Sequence, residues 1–270
     1  MSADQVAFHF SGNPSRFQLR ELNGFDEQSV CSLDTMTAIG LLERLLVRRP
    51  GSPTEQLEAI QLTAFERDRL LAEVYQRTFG PRVESTTRCT LCGDLFDLTF
   101  EIGDLLAACG FTESSSSFQS EVCREPDGTF LLPSGLRFRL PTGADEMAVV
   151  GLPPDQAELA LLHSCIIESK KGVDLDAVQQ AMEDVAPVLN LDLDAHCPEC
   201  GGKQLVHFDI QFYLLRALEQ QNKQVGREIH RLAVAYGWSL NEILSLSRTQ
   251  RRRFVEFVDA ELAGRARSSL

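Results

Sequence analysis

Two periodicities alternate along this chain. Apolar residues recurring every three or four positions predict helices, and shorter stretches of strict alternation predict strands. Asp34 is placed to cap a helix whose stripe is Ile39, Leu42, Leu45 and Leu46, which Pro50-Gly51 should end. Thr63 and Glu66 form a capping box before a second helix carrying Leu70, Leu71, Val74 and Tyr75, closed by Gly80. A short helix is expected around Leu105 to Cys109. Another opens at the prolines of "PPDQAELALLHSCIIES", and one more covers roughly 174–189. From "IQFYLLRALEQ" onward the pattern is helical. Gly237 is the C-cap, and boxes at Ser239/Glu242 and Ser247/Gln250 open two short helices ending near Leu262.

The strand signals are fewer. "VESTTRCTLCGDLFDLTFEI" reads as two strands joined at a Cys-x-x-Cys turn, with Phe96, Leu98 and Phe100 in phase and Leu95 out of it. "HCPECGGKQLVHFDI" is a second such turn leading into a strand, with Val206, Phe208 and Ile210 in phase. "TFLLPSGLRFRLPTG" reads as a hairpin turning at Pro133-Ser134-Gly135. Residues 1–33 read as an extended polar arm with a turn at Asn23-Gly24, and "TESSSSFQS" reads as a loop. No internal repeat is visible beyond the two cysteine turns.

Composition narrows the function classes. Of the 270 residues 43% are hydrophobic and 24% charged, the balance of a folded chain. No apolar run is long enough to cross a bilayer, so no membrane role is expected. "MSADQVAFHFSG" lacks the pattern of an export signal, which predicts a cytoplasmic protein. The net charge of −13 argues against broad nucleic-acid binding. From Arg248 onward, however, six arginines stand against three acids, a basic end suited to docking a protein. The "LNEILSL" helix carries no cation to read bases. No nucleotide-binding loop, nucleophile elbow or HExxH pair is present, so no enzyme is expected.

Eight cysteines without an export signal do not suggest disulfides. Cys31, Cys109, Cys123 and Cys165 are scattered and read as small buried apolar residues. Cys89, Cys92, Cys197 and Cys200 are different. Each Cys-x-x-Cys turn points two thiolates the same way, and the following Gly93 or Gly201 allows the positive φ that the turn needs. Two such turns supply the four soft ligands of a closed structural Zn2+ site. The 104 residues between Cys92 and Cys197 far exceed the roughly 15–20 of compact zinc sites, so the middle of the chain is expected to leave and return as an insertion. His196 and His207 lie near the second pair, where either could replace a cysteine as ligand, although His196 reads rather as a support or a surface residue.

The expected fold is α+β, mainly helical, with a zinc-ribbon-like β element built from two distant CxxC turns. It divides into an arm at 1–33, a helical region with the first turn at 34–100, an inserted α/β region at 101–196, and the second turn with a helical end at 197–270.

Several strings occur in a recognisable order: "LRELNGFDE", "RDRLLAEVYQRTFG", CxxCG, "FRLPTGADE", CPxCG and a terminal "IHRLAVAYGWSLNEILSLSRTQRRRFVEFV". Together they resemble the baseplate proteins of contractile phage tails and of extracellular contractile injection systems, above all the C-terminal segment of T-even-type baseplate hub assembly proteins. The resemblance implies a non-enzymatic assembly factor or minor baseplate component. Its partners would be hub, spike or tape-measure proteins, in the producing cell or in the assembled particle. It also implies that His230, Tyr236, Trp238, Arg251, Arg252 and Arg253 form a partner-binding surface. The alternative is a zinc-ribbon regulator of nucleic acid or transcription machinery, favoured only by the arginines of 248–253.

Overall fold

The computed structural model describes residues 9–10, 13–14, 17–48, 58–109, 122–168 and 173–268, a mixture of helix and sheet. The Ser-rich loop at 113–120 lies outside the described residues. In chain order the elements are β1 (His9–Phe10), β2 (Asn13–Pro14), β3 (Phe17–Leu19), α1 (Gly24–Ser29), α2 (Thr35–Leu45), β4 (Leu46–Arg48) and α3 (Ala64–Phe79). There follow β5 (Arg82–Arg88), β6 (Leu95–Glu101), α4 (Ile102–Ala108), β7 (Cys123–Arg124), β8 (Phe130–Leu131), β9 (Arg137–Phe138), α5 (Gly143–Ala148) and α6 (Pro154–Cys165). The chain continues with β10 (Ile166–Glu168), α7 (Leu175–Val185), β11 (Asn190–His196), β12 (Lys203–Asp209), α8 (Ile210–Tyr236), α9 (Leu240–Ser245) and α10 (Arg248–Ser268).

These elements form two compact units in place of four consecutive regions. Unit 1 takes residues 1–18 and 48–210, and unit 2 takes 19–47 and 211–270. The expected arm at 1–33 is corrected by this division. Leu19, Leu22 and Val30 are buried, and Asn23 and Asp26 close a capping box that starts α1. A helix of six residues is too short to leave a visible apolar stripe.

In unit 1 a four-stranded sheet, ordered β10-β9-β8-β7, packs with α6 and α7. Phe130, Leu136, Phe138, Leu162, Val178 and Ala181 form that core. The hairpin between β8 and β9 turns as expected, with Gly135 at φ 83°. Helix α7 ends at Val185 rather than Leu189. Residues 190–196 form β11, where no strand was expected, with Leu191, Leu193 and Ala195 alternating with the exposed Asp192 and Asp194.

In unit 2, α8 runs for 27 residues to its Gly237 cap, and α9 and α10 return beside its end. Leu232, Ile243, Val255 and Val258 make the core there. The capping boxes at Ser239 and Ser247 form as expected. Helix α10 is 21 residues long, not short. No helix among the described residues is long and apolar enough to cross a membrane.

One arrangement occurs twice, once in each unit, contrary to the expectation of no repeat beyond the cysteine turns. In unit 2, Arg20 grips Asp26 with both guanidinium nitrogens (2.6 and 2.9 Å), and its backbone N–H donates to Leu45. In unit 1, Arg139 grips Asp145 in the same way (2.6 and 2.7 Å), and its N–H donates to Cys165. The grip holds the Asp145 carboxyl well below the usual carboxylate range. Asn23 in one and Thr142 in the other cap the short helix that follows, and each bridges to a second capping residue, Ser247 or Thr63. The glutamate after the aspartate then meets an arginine four residues beyond that second cap. Glu27 meets Arg251, and Glu146 meets Arg67.

The two copies differ in depth. Glu27, Glu228, Arg251 and Arg248 are all at least 95% buried, with Arg251 Nε donating to Glu228 at 2.7 Å and Arg248 to Glu27 at 2.6 Å. In unit 1 only Arg67 and Glu146 make the pair, and the Glu146 side chain keeps 21% of its exposure.

Candidate metal centre

The site is built from two matching hairpins in unit 1. Strands β5 and β6 pair antiparallel over seven residues each, and so do β11 and β12. Each hairpin turns through its cysteines with the same backbone bonds. Cys89 N–H donates to the Asp94 carbonyl (2.8 Å) and Gly93 N–H to Cys89 (3.0 Å). Cys197 N–H donates to Gly202 (2.9 Å) and Gly201 N–H to Cys197 (2.9 Å). Gly93 and Gly201 take φ of 82° and 69°, as the sequence required. Each hairpin then runs into a helix that opens on a buried isoleucine, Ile102 or Ile210. The inner faces pack Phe96 and Ala195 against Cys89 and Cys197, flanked by Leu98 and Val206, while Phe100 and Phe208 meet edge to face at 5.1 Å.

The four sulfurs therefore converge from opposite hairpins and all lie within 4.8 Å of one another. Cys89 and Cys200 sulfurs are 3.6 Å apart, and Cys92 and Cys197 are 3.7 Å apart. A disulfide would need about 2.05 Å. A tetrahedral ion with metal–sulfur bonds of about 2.3 Å needs sulfur–sulfur edges of about 3.8 Å, close to those found. The first cysteine of each turn is buried and the second exposed. The cluster is thus compatible with one metal ion held between the hairpins.

Proton sharing in the cluster is uneven. Backbone N–H groups of Cys92 and Leu91 stabilise the Cys89 thiolate and lower its pKa to about 6. The Asp94 N–H favours the Cys92 thiolate too, but desolvation and the neighbouring sulfurs outweigh it and push Cys92 up to about 12. A cation among the sulfurs would favour the Cys92 thiolate that its neighbours oppose.

Two residues the sequence did not single out position this centre. Gln204 reaches from β12 to the first turn, accepting from Thr90 N–H (2.9 Å) and donating to the Arg88 carbonyl (3.2 Å). Gly202 seats Leu91: a Cβ there would come within 2.5 Å of the Leu91 Cδ1 and 3.2 Å of the Cys200 sulfur. Neither role has a local sequence signal, since each depends on the other hairpin.

The remaining sites separate. His196 and His207 are exposed and outside the sulfur cluster, and His207 contacts Asp192 at 3.1 Å. Of the scattered cysteines only Cys165 is buried; Cys31 and Cys123 are exposed, so the expectation of buried thiols fails for them. Tyr236 stacks on Trp238 at 4.8 Å, and Trp238 meets Phe254 edge-on at 5.0 Å. His230 is exposed, and Arg253 lies over the Phe257 ring at 5.5 Å. Arg251 does not belong to a partner surface. It is fully buried because Glu27 and Glu228 draw it inward, and Arg252 is engaged by Gln221 at 2.9 Å.

Comparison with protein-family models, with curated proteins and with solved structures found no match to this chain.

Proposed function

We propose that this chain is a non-enzymatic assembly factor or minor baseplate component of a contractile phage tail or contractile injection system, with a structural zinc held by Cys89, Cys92, Cys197 and Cys200. The closed four-sulfur centre carries the reading. Four thiolates fill the coordination sphere of zinc and leave no position for a substrate, so the ion would hold segments together rather than act on anything. The C-terminal resemblance supplies the contractile-tail setting, with hub, spike or tape-measure proteins as partners. The zinc-ribbon regulator loses its main support, because Arg248 and Arg251 are consumed by buried carboxylates.

Deleting the gene in its own host and imaging the particles tests the role. Missing or incomplete baseplates are expected, and normal contractile particles would sink the reading. Metal analysis of freshly purified protein tests the ion, with about one zinc per chain expected.

A further inference from the structure

The duplicated arrangement differs at one place. In unit 2 the space beside the Ser247 turn is filled by polar groups of the chain itself. Glu21 accepts from Thr249 N–H at 3.0 Å, and Arg248 crosses to Glu27 and to Gln221. The matching positions in unit 1 hold Leu140, Phe65 and Ala64, and an apolar cavity of about 290 Å³ opens there. Pro141, Met182 and Val188 extend its wall, and Glu183, itself exposed, is the one charged lining residue among the described residues. One unit fills the place from within, and the other leaves it open and lines it with apolar groups.

The volume lies at the lower limit of ligand pockets, about 300 Å³ and upward, which suits one large side chain better than a cofactor. The charge of the unit that holds it selects the segment that would carry that side chain. Unit 1 holds 28 acidic residues against 14 basic ones, whereas unit 2 is balanced at 11 against 12. A field of that sign favours a basic partner and repels an acidic one.

We propose that this pocket docks a large apolar side chain (Leu, Met or Phe) carried on a basic segment of a partner protein. The proposal is independent of the contractile-tail reading, because no residue lining the pocket is one of the four cysteines or belongs to the C-terminal helices.

The test uses the full-length, zinc-loaded protein as bait for a display library of random short peptides. Enriched peptides should carry a Leu, Met or Phe close to Lys or Arg. Ala64→Arg, which places the residue of the other unit in the pocket, should weaken their binding at least about tenfold. Glu183→Lys and raised salt should weaken it less. Both variants should melt close to the parent. If Ala64→Arg does not fold, Val188→Asp at the partly exposed edge replaces it. Any of four results would overturn the proposal: no enrichment, enrichment of acidic peptides, binding unchanged in the pocket variants, or uptake of an apolar naphthalene-sulfonate dye with no peptide bound.

Discussion

Both units join segments far apart in the chain, by opposite chemistry. Unit 1 brings residues 89–92 to residues 197–200 with four thiols at metal-binding spacing. Unit 2 brings Glu27 to Arg248 and Arg251 with buried ion pairs. A closed sulfur site gains its whole binding energy when the ion arrives, and the closure it stabilises depends on metal and on thiolate. A buried ion-pair cluster has no such external supply. Its charges lose hydration on folding and recover it only from one another, so the cluster works when complete and is costly when one member is missing. The first closure should answer to chelation and the second to single charge deletions.

The largest effect expected is from removing the zinc proposed for the sulfur centre. Structural zinc contributes roughly 10–16 kcal/mol of apparent binding energy in small zinc domains. A strong chelator, or Cys197→Ser, should therefore release amide hydrogen-exchange protection throughout β5, β6, β11 and β12. The helices of unit 2 should keep theirs. Unchanged protection in the hairpins after complete metal removal would show that the sulfur cluster is not a clasp.

Charge deletion comes next and separates the duplicated copies. Arg251→Ala leaves two buried carboxylates, Glu27 and Glu228, without their shared partner. It should cost about 3–5 kcal/mol in denaturant unfolding. Arg67→Ala removes the ion-pair partner of Glu146, which is partly solvated, and should cost about 1–3 kcal/mol. Equal losses would mean that depth of burial does not distinguish the two pairs.

The smallest effect is a pH dependence confined to unit 1. Asp68 is buried and accepts the Leu189 N–H at 2.8 Å, and desolvation raises its pKa to about 7. Its folded-state pKa exceeds its unfolded one, so the proton is held more tightly in the native state. The contribution to stability is complete below about pH 4 and is lost as pH rises through about 7. Asp68→Asn keeps an acceptor for Leu189 and removes the titration. Relative to the parent it should gain on the order of 2–3 kcal/mol between about pH 5 and pH 8. A constant difference across that range would contradict the assignment.

Much of the local structure was legible. Thr63, Asp34, Ser239 and Ser247 announced their helices because a capping bond is made within four residues. The cysteine turns announced theirs through the glycine that each needs. Strand β11 and helix α1 were not legible. The first alternates on acids that stay exposed, so only its pairing with β12 identifies it, and the second is too short for a periodic stripe. The duplication was also hidden. Its shared positions, such as Arg20 and Arg139 or Glu27 and Glu146, are few, and their equivalence lies in bonds to partners far along the chain.

The sequence by itself determined the four candidate ligands, most helix starts and the acidic excess, because residue identity and short-range spacing decide each of them. Tertiary structure decided which arginines are surface and which are core. Arg251 and Arg253 sit in one run, yet one is buried between two glutamates and the other lies at the surface over an aromatic ring. Their fates differ because a helix turns adjacent residues about 100° apart, and only the packed unit says what waits on each side.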